Sequence, residues 1–325
     1  MRTWIPRLPA AYLGLAAVAA GWGTIPVLVD RIHLSSSLIV AARLWTAAVC
    51  LSVAVWYRDR RARRTGEAVP PRLFRARPGL CAVVAAVLAG HWLALFAAYR
   101  RAPAGTVILI VYLAPVGVAA LAPLVLGERL SRATLVTLIV ASAGAALIAG
   151  PTVQRTGAAG LILALVAAAL YVGLILASKP LAQIYGGLHL ALLEIAGAGV
   201  IMIPVAALSH WPAPALDWLW LLVLGAVHTA FGIAFYLGTL ARLPATHVGI
   251  MGYLEPVGVV VCAWAFLSQR PSWETVAGGL LVVGAGAGLI AFEGRAESTA
   301  VSGASFATAT ATTVEAHHGR PGDTS

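Results

Sequence analysis

Charge is scarce in this chain. Only 10% of its 325 residues are Asp, Glu, Lys or Arg, 60% are hydrophobic and the mean hydropathy is +0.90, which excludes an ordinary soluble domain. Lysine is nearly absent: among 22 basic residues, Lys179 is the single one. A net charge of +10 could suggest nucleic acid. The arginines, however, gather in one segment between apolar runs, where they orient a membrane protein, so nucleic acid is not an expected partner. Cysteine is also sparse. Cys50, Cys81 and Cys262 all fall in apolar runs without metal-ligand spacing or an even-numbered secreted framework, and are read as packing residues. No Gly-x-x-x-x-Gly-Lys-Ser/Thr loop occurs, which argues against an ATP-driven pump. Without a His/Cys cluster or a nucleophile beside a base, no metal, cofactor or enzymatic activity is expected. The neighbouring His317 and His318 lack further ligands and are read as incidental.

What is abundant is apolar length. Ten segments meet or approach the roughly 20 residues that cross a bilayer: 10–29, 36–57, 79–99, 104–126, 133–150, 157–178, 187–208, 216–240, 246–267 and 273–292. The first, preceded by Arg2 and Arg7, has features of a signal peptide, but its length favours a retained helix. The loop 58–78 carries Arg58, Arg60, Arg61, Arg63, Arg64, Arg72, Arg75 and Arg77, and should be cytoplasmic. That choice puts both termini inside, with sixteen basic residues inside, five outside and Arg43 within a span. Residues 1–9 form a cytoplasmic N-terminus, and residues 293–325, rich in Ser, Thr, Ala and Gly, read as a disordered cytoplasmic tail.

The chain also repeats itself. Tyr112-Leu113-Ala114-Pro115-Val116-Gly117 returns 141 residues later as Tyr253-Leu254-Glu255-Pro256-Val257-Gly258. The same shift aligns Arg101–Thr134 with Arg242–Thr275 at 15 of 34 positions without a gap, including Pro103 with Pro244 and Arg129 with Arg270. Five spans per unit is an odd number, so the second unit enters the membrane from the opposite side. The expected fold is therefore an all-α integral membrane protein, ten transmembrane helices in two inverted five-helix repeats, 10–150 and 157–292. Each proline removes a donor and should break its helix, leaving carbonyls at Val111 and Gly252 without helical partners.

At this point the residues resemble a family, the EamA-type transporters of the drug/metabolite transporter superfamily. The resemblance is carried by Gly21-Trp22-Gly23, Ala42-Arg43-Leu44, Leu113-Ala114-Pro115 with Gly127-Glu128-Arg129-Leu130, and Leu254-Glu255-Pro256, over residues 10 to 292. It implies a carrier in the cytoplasmic membrane, often an exporter of amino acids or other small metabolites, working by alternating access without ATP. Where such proteins often repeat Gly-Glu-Arg, this chain has Ser268-Gln269-Arg270, which weakens any role for a symmetric pair of carboxylates.

The candidate substrate- or proton-binding residues follow from the cost of polar groups at membrane depth. Glu255 leads, as the charge that distinguishes one repeat copy from the other; the alternative is a packing role. Glu194 and Arg43 stand at comparable depth and either pair directly or line one cavity, although Arg43 could instead snorkel outward. His228 is the best placed of His91, His228 and His247 to relay protons, and His247 could share the cavity of Glu255; each could equally be a packed, hydrogen-bonded histidine. Tyr112, Tyr253, Trp22 and Tyr236, with Trp92 and Tyr171, fall toward span interiors, where they line a pocket or fill space. Gly284, Gly286 and Gly288, with Ser142 and Gly144, permit close helix approach within the monomer or in a homodimer. The expected partners are a small-molecule substrate and the lipid bilayer. An exporter is the leading reading; an uptake permease of the same fold and a non-transporting scaffold or receptor are the alternatives.

Overall fold

The computed structural model describes residues 8–102, 107, 110–149, 157–208, 211, 214–268 and 270–292, and all regular secondary structure among them is helical. In chain order the helices are α1 (Leu8–Trp22), α2 (Ile25–Asp30), α3 (Ser36–Thr65), α4 (Pro78–Tyr99), α5 (Ala114–Val125), α6 (Arg132–Ala149), α7 (Ala158–Ile201), α8 (Ile203–Ala207), α9 (Ala215–Val223), α10 (Gly232–Leu240), α11 (Ala245–Gly252), α12 (Leu254–Leu267) and α13 (Trp273–Phe292). A π-helical stretch, Leu224–Phe231, joins α9 to α10. Among the described residues, seven segments are long and apolar enough to cross a membrane, and Ala114–Val125 and Arg132–Ile148 are shorter apolar helices. The chain is a multi-pass membrane protein. The expectations for residues 1–7, most of 103–109 and the tail from 293, with His317 and His318, lie outside the described residues.

Two boundaries differ from the sequence expectation. First, α3 continues through Arg58–Arg64 to Thr65 and stops at Gly66, whose φ of 72° only glycine adopts cheaply. Arginine is a good helix former, and the projecting end is held by the buried His189. Arg58 Nη1 donates to His189 Nδ1 at 2.7 Å, and His189 Nε2 donates to Asp59 Oδ1 at 3.0 Å. The expected loop 58–78 therefore begins only at Gly66. Second, α7 runs through the expected connection at 179–186. A straight helix of its 44 residues would measure about 66 Å, twice the roughly 30 Å of a hydrocarbon core. Gly186, with φ 72° and ψ 162°, breaks it.

Both Tyr-Leu-x-Pro copies interrupt their helices. A turn at 112–113 precedes α5, and Tyr253 separates α11 from α12. At each break a backbone N–H reaches back three residues instead of four, Leu113 to Ile110 at 3.0 Å and Tyr253 to Ile250 at 3.1 Å. The repeat extends to helix starts. The Ser131 hydroxyl accepts the Thr134 N–H at 3.0 Å, and Ser272 accepts that of Thr275 at 3.3 Å.

Where α5 and α12 end, equivalent positions are left-handed: Gly127 at φ 69° and Ser268 at φ 56°. The first copy uses the residue that tolerates this conformation, and the second does not. Ser268→Gly is expected to stabilise the protein by about 0.5–1 kcal/mol, read as a raised unfolding temperature in detergent by tryptophan fluorescence. An unchanged or lowered temperature would contradict the strain.

Close helix approach is set by glycines, as expected where packing rather than water exclusion drives association. A Cβ on Gly258 would lie 2.2 Å from the Ala20 carbonyl oxygen, and one on Gly23 would lie 2.2 Å from the Gly258 backbone, so α1 seats directly on α12. In the other copy, a Cβ on Gly117 would strike Val172 of α7 at 2.7 Å. The motif glycines are thus where each broken helix receives a helix of the opposite repeat. Helices α6 and α13 meet through Gly144 and Gly278, each of whose Cβ would crowd the other's carbonyl at 2.6 and 2.5 Å. Within the single chain Gly284 and Gly288 face open space, and Gly278 makes the close approach to α6.

Candidate functional site

The two broken helices are tied together by their tyrosines. Tyr253, 1% exposed, donates its hydroxyl to the Tyr112 carbonyl at 2.7 Å and accepts from Ser142 at 2.9 Å, and the two rings lie 5.6 Å apart. The carbonyl satisfied is one residue beyond Val111, where the proline geometry placed the shortfall. Tyr112 in turn has its side chain within hydrogen-bonding reach of Glu255. Glu255 keeps part of its surface accessible, whereas its counterpart Ala114 is 1% exposed.

Arg43 does not pair with Glu194. It is 8% exposed, donates Nε to Thr229 Oγ1 at 3.0 Å, and lays its guanidinium over the Trp92 ring at 4.6 Å, so it does not snorkel. The carboxylate whose charge it feels is Glu255. Gly225 makes this possible: a Cβ there would lie 2.5 Å from Thr46 Cβ and 3.1 Å from the Arg43 carbonyl oxygen. The π stretch therefore beds against α3 at Gly225 and presents Thr229, whose hydroxyl donates to Leu224 at 2.9 Å, to the guanidinium. Wide π turns of this kind recur at functional positions.

Glu194, 2% exposed, is sealed and accepts the Ser178 hydroxyl at 2.5 Å. Tyr236 connects it to the remaining residues. Its ring lies 5.9 Å from Trp22, it feels the charge of Glu194, and Tyr171 approaches its hydroxyl without forming a hydrogen bond of ordinary geometry. The Tyr236 hydroxyl is buried and unpartnered, a costly state for a polar group in protein. Trp22 donates Nε1 to the His228 carbonyl at 2.8 Å, and His228 Nε2 lies 2.6 Å from the Thr24 hydroxyl. Of the eight sequence candidates, Tyr112, Tyr253 and Glu255 form one group and Trp22, Tyr236 and His228 another, while Arg43 feels the charge of Glu255 and Tyr236 that of Glu194 without direct pairing.

The other two histidines are committed elsewhere. His91 donates Nδ1 to the Ala167 carbonyl at 2.8 Å and stacks on Tyr171 at 5.1 Å. His247 lies 2.6 Å from the Tyr12 hydroxyl and 3.1 Å from Thr134 Oγ1. A cavity of about 560 Å³ is lined by Ser37, Val40, Trp92, Phe96, Arg100 and Met202 among others. Trp92, on which Arg43 stacks, forms part of its wall.

Three groups escaped the sequence reading. Thr229 has no signal of its own. Ser178 gave none either. Lys179 did: a single lysine inside an apolar run needs a partner. It pairs with Glu128 at 3.0 Å and donates to the Leu243 carbonyl, while Glu128 also accepts the Ala245 N–H at 2.8 and 3.1 Å.

Comparison with known proteins agrees with this architecture. A family model described as the EamA-like transporter family matches residues 9–150 and 158–291. A probable terminal-alkyne amino-acid exporter of Streptantibioticus cattleyicolor is 30% identical over 182 residues, covering 55% of this chain and 61% of that protein. The pseudopaline exporter CntI of Pseudomonas aeruginosa is 27% identical over 189 residues, covering 58% and 66%. The match spans less than two thirds of either relative. A solved crystal structure, 20% identical, superposes with a TM-score of 0.70 over 89% of this chain and 99% of its own, a likeness of fold.

Proposed function

The chain belongs to the EamA-like transporter family, and from that premise we propose that it is a secondary carrier exporting a small organic metabolite, such as an amino acid, across the cytoplasmic membrane by alternating access. The observation that carries this reading is the junction of the two repeats. There one half-buried acidic residue, Glu255, one buried guanidinium that feels its charge, Arg43, and a buried hydroxyl without a hydrogen-bond partner, Tyr236, lie among aromatic rings within the apolar spans. Such groups are costly in a purely structural core and useful where a polar solute passes. The names of the two relatives, both exporters, support the direction and the substrate class. In this reading the chain crosses the membrane ten times. The seven long segments count as eight because Gly186 divides one of them, and the two shorter apolar helices complete the set. Both termini face the cytoplasm, as the arginine-rich segment favours.

The test is metabolite profiling of cells with and without the protein, followed by flux of the affected compounds in proteoliposomes. Outward movement of an amino-acid-like metabolite is the expected result. Net inward movement in vesicles would replace export by uptake, and no exchange across a broad panel would favour a scaffold or receptor.

A further inference from the structure

The single lysine lies where the pathway would have to open. Glu128 belongs to the first repeat; Lys179, Leu243 and Ala245 belong to the second. Glu128 spans them all: its carboxylate meets the Lys179 ammonium and accepts the N–H of Ala245 at the start of α11, while Lys179 donates to Leu243. The pair is largely buried, with side-chain exposures of 9% for Lys179 and 14% for Glu128. Next to it, His247 of the second repeat meets Tyr12 and Thr134 of the first.

Its place across the membrane is fixed by two helices. On α7, Tyr185 lies six residues beyond Lys179 and exchanges hydrogen bonds with Ala76 of the arginine-rich segment, accepting its N–H at 3.0 Å and donating to its carbonyl at 2.9 Å. Lys179 is therefore near the arginine-rich face. Helix α4 starts at Pro78 on that face, and its 22 residues rise about 33 Å, so Arg100 and Arg101, which line the 560 Å³ cavity, stand at the opposite face. Among the described residues, the cavity thus lies toward one face and the ion pair toward the other.

We propose that Glu128, Lys179 and the start of α11 form a latch that closes the transport pathway on the arginine-rich face and must part before substrate enters from that side. The inference rests on the carrier reading above. A buried ion pair holds two surfaces together little better than apolar packing does. On separation the two behave differently: the charges of the ion pair hydrate, so the contact opens without exposing apolar surface. That property suits a contact made and broken in every cycle.

The test is accessibility in the full-length chain, with its three native cysteines replaced by serine or alanine. Thr246→Cys reports the latched end, where Thr246 is 1% exposed, and Ala97→Cys reports the open cavity. Each is treated with a membrane-impermeant maleimide from its own face in oriented vesicles. Lys179→Met and Glu128→Gln are expected to speed labelling of Thr246→Cys about tenfold and to slow that of Ala97→Cys correspondingly, because the two states exchange population. Lys179→Arg should leave both rates near those of the unmodified latch. Unchanged rates would overturn the proposal. So would faster labelling at Thr246→Cys alone, which is what local loosening gives. Monodisperse elution of each variant controls for misfolding. Flux measured on the same vesicles separates failure of the latch, with transport retained, from failure of the carrier reading, with none.

Discussion

Glu255→Gln is expected to reduce substrate flux in proteoliposomes by about 100-fold or more, as a charge acting on the transported solute or its coupling ion would require. The substitution keeps the side chain's size and its capacity to accept the Tyr112 hydroxyl, so what it removes is the charge that Arg43 feels. The repeat offers an internal control for the scaffold. At the equivalent position of the first copy Ala114 supports the same helix break without a carboxylate, so the fold does not need one there. Thermal unfolding of Glu255→Gln should stay within a few degrees of the parent protein, roughly the shift that 1 kcal/mol produces. Glu194→Gln is the comparison. Glu194 is sealed at 2% exposure and already bound by Ser178, so its loss is expected to stay within about tenfold. Flux insensitive to both substitutions would remove carboxylate coupling from the mechanism and leave the fold untouched.

The architecture was legible because its determinants are local. A proline in an apolar run removes a backbone donor and obstructs the helical bond four residues back, and finding the same string twice marks two repeats of one unit. Gly117 and Gly258 were likewise recognisable as architecture, although only the structure shows that Val172 and Ala20 are what they admit. The site was legible to the extent that membrane burial makes any charge conspicuous. Its pairings were not. Arg43 and Glu194 were natural partners by depth, yet Thr229 holds Arg43. That choice depends on the extra width of the Leu224–Phe231 turn and on Gly225, which no periodicity reveals. The same limit explains α3 and α7. Arginines read as a loop because they are polar, but on a helix leaving the membrane they are exposed and helix-favouring. Gly186 resembles any other membrane glycine until its φ is known.

Arg43→Lys is expected to cost nearly as much flux as Arg43→Gln, between about 10- and 100-fold, although it retains the charge. The guanidinium performs two tasks in fixed directions: Nε is spent on Thr229 at 3.0 Å, while the plane lies on Trp92 at 4.6 Å, at the wall of the open cavity. An ammonium is a point charge on a flexible stem. It can satisfy the hydroxyl or lie over the ring, and in either arrangement the cation seen by Glu255 is displaced. Thr229→Val removes the hydroxyl at nearly constant volume, freeing Nε and letting the guanidinium turn, so a smaller loss of about 5-fold is expected. The two substitutions act on the same contact. Their combination should therefore fall short of the product of the single effects, a coupling of about 0.5–1 kcal/mol in a double-mutant cycle. Wild-type flux in Arg43→Lys would mean that charge alone suffices there. Strictly multiplicative effects would mean that Thr229 does not act through Arg43, and that the wide turn has some other purpose.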